Sequence, residues 1–265
     1  MCSSDLFDTY SMNKGYSVLG VVTGKPLTVG GSLGRIEATA RGAAFCVREA
    51  LRKRGERVQG RRVAVQGFGN VGSIGAQLIA RLGAKIIAVT DWKGGVYNPK
   101  GLDVDKLIEH AKQHKTVNGY AGAEPLGQKD VFKTDAEVLI PAALEKQITA
   151  ENVNDIKAKL IVEGANGPTT PEAHKVLHER GVFVVPDILA NAGGVTTSYF
   201  EWVQDRHGYF WTLKEVNERL EAKMCEAFDA VLQTAQKYKV DMRAAAYIVA
   251  INRVATVTRL RGMYA

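Results

Sequence analysis

Short apolar runs alternate with amphipathic stretches along most of the chain. The apolar runs are rich in β-branched residues, which predicts buried strands; they fall at residues 62–66, 85–90, 137–140, 160–163 and 182–185. Apolar residues recur at helical spacing between them, which predicts helices over residues 37–54, 71–82, 104–113 and 171–180. From about Ala190 the pattern is helical, with long helices over 213–238 and 241–260. This alternation predicts a Rossmann-type α/β fold: a doubly wound, mostly parallel sheet with C-terminal helices.

The pattern also predicts three parts of the chain. Residues 1–34, which contain several glycines and short apolar pieces, form a lead-in segment. Residues 35–200 form the Rossmann-like domain, and residues 201–265 supply C-terminal helices that brace the fold.

Composition and charge exclude several function classes. With 46% hydrophobic and 24% charged residues, the chain is typical of a globular protein with a full core. The net charge of +7 comes largely from residues 52–62, where no aromatic residue is interleaved. This favours a solvated helix end over nucleic-acid binding. No apolar run is long enough to span a membrane, and no secretory signal is evident, which favours a cytoplasmic protein.

Neither the cysteines nor the histidines predict a metal site or a disulfide framework. The three cysteines are widely spaced, at Cys2, Cys46 and Cys225. Two histidine pairs have the spacing of one helix face, His110 with His114 and His174 with His178. No third ligand is evident for either pair, so we interpret them as solvated helix residues.

A glycine-rich turn follows the first predicted strand and opens a helix. It reads Gly67-Phe68-Gly69-Asn70-Val71-Gly72. Gly67 permits the tight turn, Gly69 allows the backbone to approach a pyrophosphate, and Gly72 allows close packing of helix and strand. The helix N-terminus then presents free N–H groups to the phosphates. The turn therefore predicts dinucleotide binding, with contacts from all six residues.

The choice between NAD and NADP stays open at this point. Asp91 ends the second strand, where a carboxylate is expected to accept hydrogen bonds from a ribose diol and would repel a 2′-phosphate. Lys93 lies two residues further on and could attract that phosphate. Both residues are predicted to line the cofactor site.

Two later strands end in loops that carry asparagine and glycine. Asn166 lies in the loop 164–170, and Asn191 lies in the loop 186–195. Ligands bind at the carboxyl ends of strands in such sheets, and an asparagine amide can pair with a carboxamide. Asn166 and Asn191 are therefore predicted to contact a nicotinamide, although such residues also cap helices and hold turns.

At these residues the chain closely resembles the glutamate dehydrogenase family, from about Phe7 to about Gly262. Beside the glycine turn, the stretches that carry the resemblance are Asp8-Thr9-Tyr10-Ser11, Val22-Thr23-Gly24-Lys25-Pro26, Gly30-Gly31-Ser32-Leu33-Gly34-Arg35, Gly164-Ala165-Asn166-Gly167-Pro168-Thr169-Thr170, and Asn191 through Trp202.

The resemblance implies roles for particular residues. Arg35 and Thr39 are expected to contact the dinucleotide, with Thr39 at the nicotinamide carboxamide. Val195 and Ser198 are expected to line the substrate pocket. Ser198 would donate its hydroxyl to the side-chain carboxylate of glutamate, because a hydroxyl that faces an alkyl chain would go unpaired.

The resemblance also implies a reaction and partners. The family converts L-glutamate reversibly to 2-oxoglutarate and ammonia with NAD or NADP, and its members commonly form homohexamers. Its catalytic lysine and aspartate lie in an N-terminal domain ahead of the segment that matches Asp8-Thr9-Tyr10-Ser11. We therefore expect no catalytic residue in this chain and no turnover by the chain alone. The first six residues match nothing in the family, which suggests a foreign junction left by truncation or by sequence assembly.

Two alternatives remain open. The first is a related dehydrogenase of leucine, phenylalanine or valine, which would have an apolar substrate pocket. The second is a catalytically inactive dinucleotide-binding module.

Overall fold

The computed structural model describes residues 3–262, and Cys2 therefore lies outside the described part. The chain begins with a helix, α1 (Ser3–Lys14), followed by single turns of 3-10 helix at Leu19–Val21 and Leu27–Val29. We did not predict α1 from the sequence. None of its residues is buried, so it has no apolar stripe from which a periodicity could be detected.

The remaining elements follow the predicted alternation. The other helices are α2 (Ala38–Lys53), α3 (Asn70–Arg81), α4 (Val104–His114), α5 (Pro171–Glu179), α6 (Asp187–Ala190), α7 (Gly193–His207), α8 (Leu213–Tyr238) and α9 (Met242–Arg261). The strands are β1 (Arg62–Gln66), β2 (Lys85–Thr90), β3 (Gly95–Tyr97), β4 (Glu124–Leu126), β5 (Val138–Pro141), β6 (Leu160–Val162) and β7 (Phe183–Val185). The predicted bounds agree with these to within a few residues.

The seven strands form one sheet in the order β4-β3-β2-β1-β5-β6-β7. The five strands from β2 to β7 in that order are parallel, which confirms the doubly wound fold. The sequence did not predict β3 and β4, which pair antiparallel at one edge. Each has only three residues, and they contain Gly95 and Pro125, so neither shows the apolar alternation of a longer strand.

Side chains alternate between the two faces of the sheet, and both faces are buried because helices pack on each of them. In β1, Val63 and Val65 lie in an apolar cluster with helices α2, α3 and α8, whereas Ala64 lies in the opposite cluster beneath α5. The first cluster continues into α9 through Met242 and Ala246. The C-terminal helices thus share a core with the sheet.

Helix α7 runs continuously through residues 200 and 201, where the sequence pattern suggested a boundary. The division into lead-in segment, Rossmann-like domain and bracing helices stays a prediction. Within residues 3–262, none of the helices combines the length and apolar character needed to cross a bilayer.

Candidate functional site

The carboxyl ends of the central strands meet at one edge of the sheet. Gln66 at the end of β1 pairs with Thr90 of β2 on one side and with Pro141 of β5 on the other. The chain leaves β1 toward β2 and returns later to β5, so a crevice opens between β1 and β5 where the winding reverses direction. Such reversal points are where doubly wound sheets bind ligands.

The glycine turn lies at this reversal point, and the structure requires two of its three glycines. Gly67 has a φ of +93°, and a Cβ there would lie 2.8 Å from the Ala142 carbonyl oxygen. A Cβ on Gly72 would overlap the carbonyl oxygen of Gly67. Because neither residue has a side chain, the backbone of the turn lies close to the neighbouring strand end and to the start of α3.

The middle glycine has a different environment. A Cβ on Gly69 would meet no atom within 4 Å, and the φ of this residue is −74°. Gly69 is the N-cap of α3, yet no side chain caps this helix. Asn70 and Val71 lie in the first turn of α3, where backbone N–H groups have no partner within the helix. The protein itself does not require a glycine here, whereas an approaching ligand would.

A cavity of about 540 Å³ extends from the turn toward β2. Phe68, Gly69 and Asp91 line it. Two buried atoms in its wall, Gln66 Oε1 and Thr90 Oγ1, have no hydrogen-bond partner within the described residues. Buried polar atoms are nearly always paired in native proteins, so these two atoms are exceptions in the wall of a largely apolar cavity.

Asp91 is held firmly at the edge of this cavity. Its carboxylate accepts hydrogen bonds from the N–H of Val117 at 2.6 Å, the Thr116 hydroxyl at 3.1 Å and the N–H of Lys93 at 2.9 Å. Lys93 is exposed, and it contacts Asp91 through its backbone N–H. Thr116 and Val117 could not be predicted as partners of Asp91, because nothing in their local sequence pattern places the 115–118 turn beside β2.

The two predicted asparagines lie together at the other side of the crevice. The Asn191 Nδ2 donates to Asn166 Oδ1 at 2.6 Å. Gly164, at the start of the first asparagine loop, packs against Val71 of α3, since a Cβ on it would lie 3.2 Å from Val71 Cγ1. The asparagine loops and the glycine turn thus form one continuous edge.

Thr39, in the first turn of α2, and Arg35, in the turn just before that helix, lie at the start of α7. A Cβ on Gly194 would overlap Thr39 Oγ1 and would lie 3.9 Å from an Arg35 terminal nitrogen. A Cβ on Gly193 would overlap the Ala38 carbonyl oxygen. The glycine pair therefore allows α2 and α7 to approach closely, which places Thr39 and Arg35 near the asparagine loops.

The predicted substrate residues lie further along α7. Val195 is 70% exposed, and the Ser198 hydroxyl contacts the hydroxyl of Thr23 in the lead-in segment. We did not predict Thr23 as a neighbour of Ser198. The two hydroxyl groups are in contact in the structure, so the side chain of Ser198 has a polar partner.

A fully buried charge cluster anchors the lead-in segment one turn further along α7. Lys25 Nζ lies 2.8 Å from Glu201 Oε1 and 2.7 Å from Asp205 Oδ2. Glu201 also accepts the backbone N–H groups of Gly24 and Lys25. Burial raises the pKa of Asp205 above its ordinary value, although Lys25 opposes that shift. One feature of the sequence could have indicated this cluster: residues 198, 201 and 205 are polar and lie on one helix face.

Three further features are separate from this edge. The prediction that His174 is solvated is wrong, because its side chain is only 13% exposed and its Nε2 lies 3.2 Å from Asp241 Oδ1. The ring of His110 packs on His114 and Tyr120. Cys46 is buried, and Cys225 lies 3.4 Å from an Arg48 nitrogen. Residues 3–262 contain no group of three side chains arranged to hold a metal ion.

A sheet that reverses its winding at a three-glycine strand-to-helix turn defines the class of Rossmann-type α/β proteins. The chain belongs to the Glutamate/Leucine/Phenylalanine/Valine dehydrogenase family, whose family model matches residues 30–262.

Relatives and solved structures agree with this assignment. The chain is 55% identical over 258 residues to a glutamate dehydrogenase of Thermotoga maritima, and the match covers 97% of this chain and 62% of that protein. It is 46% identical over 257 residues to an NAD-specific glutamate dehydrogenase of Staphylococcus aureus, with the same coverage. The fold matches a hetero-hexameric glutamate dehydrogenase of Thermus thermophilus with a TM-score of 0.93 and 40% identity, covering 98% of this chain and 62% of that one. The chain thus spans about three fifths of the length of these proteins.

Because Gly72 and Gly69 have different environments, we predict that replacing each with alanine changes the free energy of unfolding by different amounts. Gly72→Ala will lower the free energy of unfolding by about 1–3 kcal/mol, because the new methyl group overlaps the Gly67 carbonyl. Gly69→Ala will change it by less than about 0.5 kcal/mol, because the methyl group meets open space. Urea unfolding of the two variants and the parent chain measures both values. Equal losses in the two variants would contradict the geometry of the turn.

Proposed function

We propose that this chain supplies the dinucleotide-binding half of an NAD-dependent glutamate dehydrogenase, which converts L-glutamate reversibly to 2-oxoglutarate and ammonia. The observation that carries the proposal is the glycine turn: Gly69 leaves open space beside the uncapped start of α3. The names of the relatives from Thermotoga maritima and Staphylococcus aureus support the same reaction.

In this proposal the adenosine of the dinucleotide lies at one end of the crevice and the nicotinamide lies at the other. The N–H groups of Asn70 and Val71 donate to the pyrophosphate, with the helix dipole adding to the attraction. Asp91 accepts hydrogen bonds from the ribose hydroxyls at the adenosine end. Phe68 and the cavity beside it provide the apolar surface for the adenine.

The nicotinamide end is assigned to the edge formed by Asn166, Asn191 and Thr39. The two amides and the hydroxyl supply donors and acceptors for the carboxamide, and Arg35 adds positive charge nearby. The bound nicotinamide supplies hydride acceptance from the substrate α-carbon. The protein residues fix which face of the ring is presented, and they restrict its movement.

Glutamate is the substrate that best fits the pair of hydroxyl groups where Ser198 of α7 meets Thr23. The hydroxyls of Ser198 and Thr23 lie in contact, and they can donate to a side-chain carboxylate. An alkyl side chain in the same place would leave both hydroxyls without a partner other than each other. Val195 offers the adjacent apolar surface for the methylene groups of glutamate.

We propose further that the 265 residues bind dinucleotide without turning over glutamate. Amino-acid oxidation needs a base at the α-amino group. The buried ammonium group of Lys25 is engaged by two carboxylates and the carbonyl of Val22, so it is not available as that base. The hexameric neighbour from Thermus thermophilus supports hexamer formation by the complete protein. We expect the complete protein to be cytoplasmic.

Titration with NADH, followed by nucleotide fluorescence, tests the proposal. The parent chain will bind, and Gly69→Ala will weaken binding at least about tenfold, because a methyl group occupies the space assigned to the pyrophosphate. Gly69→Ala must retain the unfolding free energy of the parent, which separates a local effect from unfolding. Absence of NADH binding by the folded parent chain would refute the function, and glutamate turnover by it would refute the second proposal.

The fixed carboxylate of Asp91 predicts preference for NAD over NADP. Two unit charges at close range repel strongly in a partly buried site, so the carboxylate disfavours a 2′-phosphate. Asp91→Asn retains the shape and one acceptor oxygen but removes the charge. We expect the ratio of the dissociation constants of NADPH and NADH to fall at least about tenfold in this variant. An unchanged ratio would show that Asp91 does not select the nucleotide.

A further inference from the structure

An ion-pair network beneath the asparagine loops has no part in the site as described so far. Arg243, in the first turn of α9, donates from Nη2 to Glu163 Oε1 at 2.6 Å and from Nη1 to Asp187 Oδ1 at 3.1 Å. The Glu163 side chain is fully buried, and those of Arg243 and Asp187 are 20% and 19% exposed. One guanidinium group therefore joins the end of β6 to the start of α6.

The acidic partners of Arg243 hold the two loops through backbone hydrogen bonds. Asp187 Oδ2 accepts the N–H of Gly167 at 2.8 Å, and Glu163 Oε2 accepts the N–H of Asp187 at 2.8 Å. Gly167 directly follows Asn166 in the chain. The N–H of Asn191 donates to the Asp187 carbonyl at 3.0 Å. Asn191 is thus bonded directly to the Asp187 backbone, and Asn166 is connected to the Asp187 side chain through the N–H of the next residue, Gly167.

The charges in this network remain in place because each compensates another. Burial alone would lower the pKa of Arg243, but Glu163 and Asp187 raise it above its ordinary value, so the guanidinium group stays charged. Its planar fork reaches two carboxylates at once, which a lysine ammonium does with less fixed geometry. A network with paired charges on three elements restricts the relative movement of those elements.

We propose that Arg243 and Asp187 are positioning residues for the nicotinamide end of the dinucleotide. They set the separation of the two asparagine loops, and hence the 2.6 Å contact between Asn191 and Asn166. This inference rests on the proposed dinucleotide-binding function. It assigns no contact with the cofactor to Arg243, which acts through Asp187 and the loops.

A purely structural role would predict a different result from a positioning role. If the network only stabilises the fold, its loss will affect all ligands of the crevice equally or not at all. If it positions the loops, its loss will weaken ligands that carry a nicotinamide and spare those that lack it. ADP-ribose shares the adenosine, the pyrophosphate and the second ribose of NADH but lacks the nicotinamide ring. Comparing the affinities of NADH and ADP-ribose therefore separates the two roles.

The experiment measures the binding of NADH and ADP-ribose to the 265-residue chain by calorimetry. The variants are Asp187→Ala, Arg243→Met and Arg243→Lys, with Arg253→Met as a matched control, since Arg253 is an exposed arginine on the same helix. We expect Asp187→Ala and Arg243→Met to weaken NADH about tenfold, the value of one hydrogen bond to a charged group. ADP-ribose affinity will change less than twofold. Arg243→Lys will recover part of the NADH affinity, and Arg253→Met will match the parent.

Each other outcome has a defined meaning. Equal weakening of both ligands, or no change in either, would overturn the positioning role while leaving dinucleotide binding intact. Failure of the parent chain to bind either ligand would instead refute the proposed function. Arg243→Met leaves the buried carboxylate of Glu163 unpaired and risks unfolding. Asp187→Ala then decides the question, because Asp187 is less buried and ADP-ribose binding reports that the variant is folded.

Discussion

The close approach of the backbone at the end of β1 is the constraint on which the rest of this site depends. Gly72 lies against the carbonyl of Gly67, and Gly67 lies against Ala142 of the adjacent connection. No side chain fits at either contact, and α3 begins close to the strand end without a side-chain cap. The neighbouring strand ends and their loops pack around this corner. Its shape therefore determines where a negatively charged group can approach the sheet.

Two clusters of buried charges hold the segments that surround the glycine turn. At one end, Lys25 joins Glu201 and Asp205 and holds the lead-in segment on α7, which sets the contact of Thr23 with Ser198. At the other, Arg243 joins the strand and helix that carry the asparagine loops. Breaking one partner of a buried pair leaves an uncompensated charge, which is far more costly than the pair itself is stabilising. Both clusters therefore favour one defined arrangement of the loops.

Much of the sheet and the glycine turn could be predicted from sequence, because buried strands and amphipathic helices leave local periodic patterns. The structure confirms β1, β2 and the helix between them almost to the residue. The edge strands β3 and β4 and the exposed helix α1 leave no such pattern. The contacts of Asp91 with Thr116, of Lys25 with Glu201 and of Arg243 with Glu163 join residues 25 to 176 positions apart. Such pairings arise from the folded chain, and no local motif encodes them. Family resemblance supplied the individual roles of Thr39, Val195 and Ser198, which stay predictions.

A crystal structure of the chain soaked with NAD tests the central claim most directly. The account predicts a pyrophosphate oxygen within about 2.7–3.2 Å of the N–H groups of Asn70 or Val71, directly over Gly69. Density for the dinucleotide at another surface, such as the groove between α7, α8 and α9, with the space beside Gly69 filled only by solvent, would contradict it.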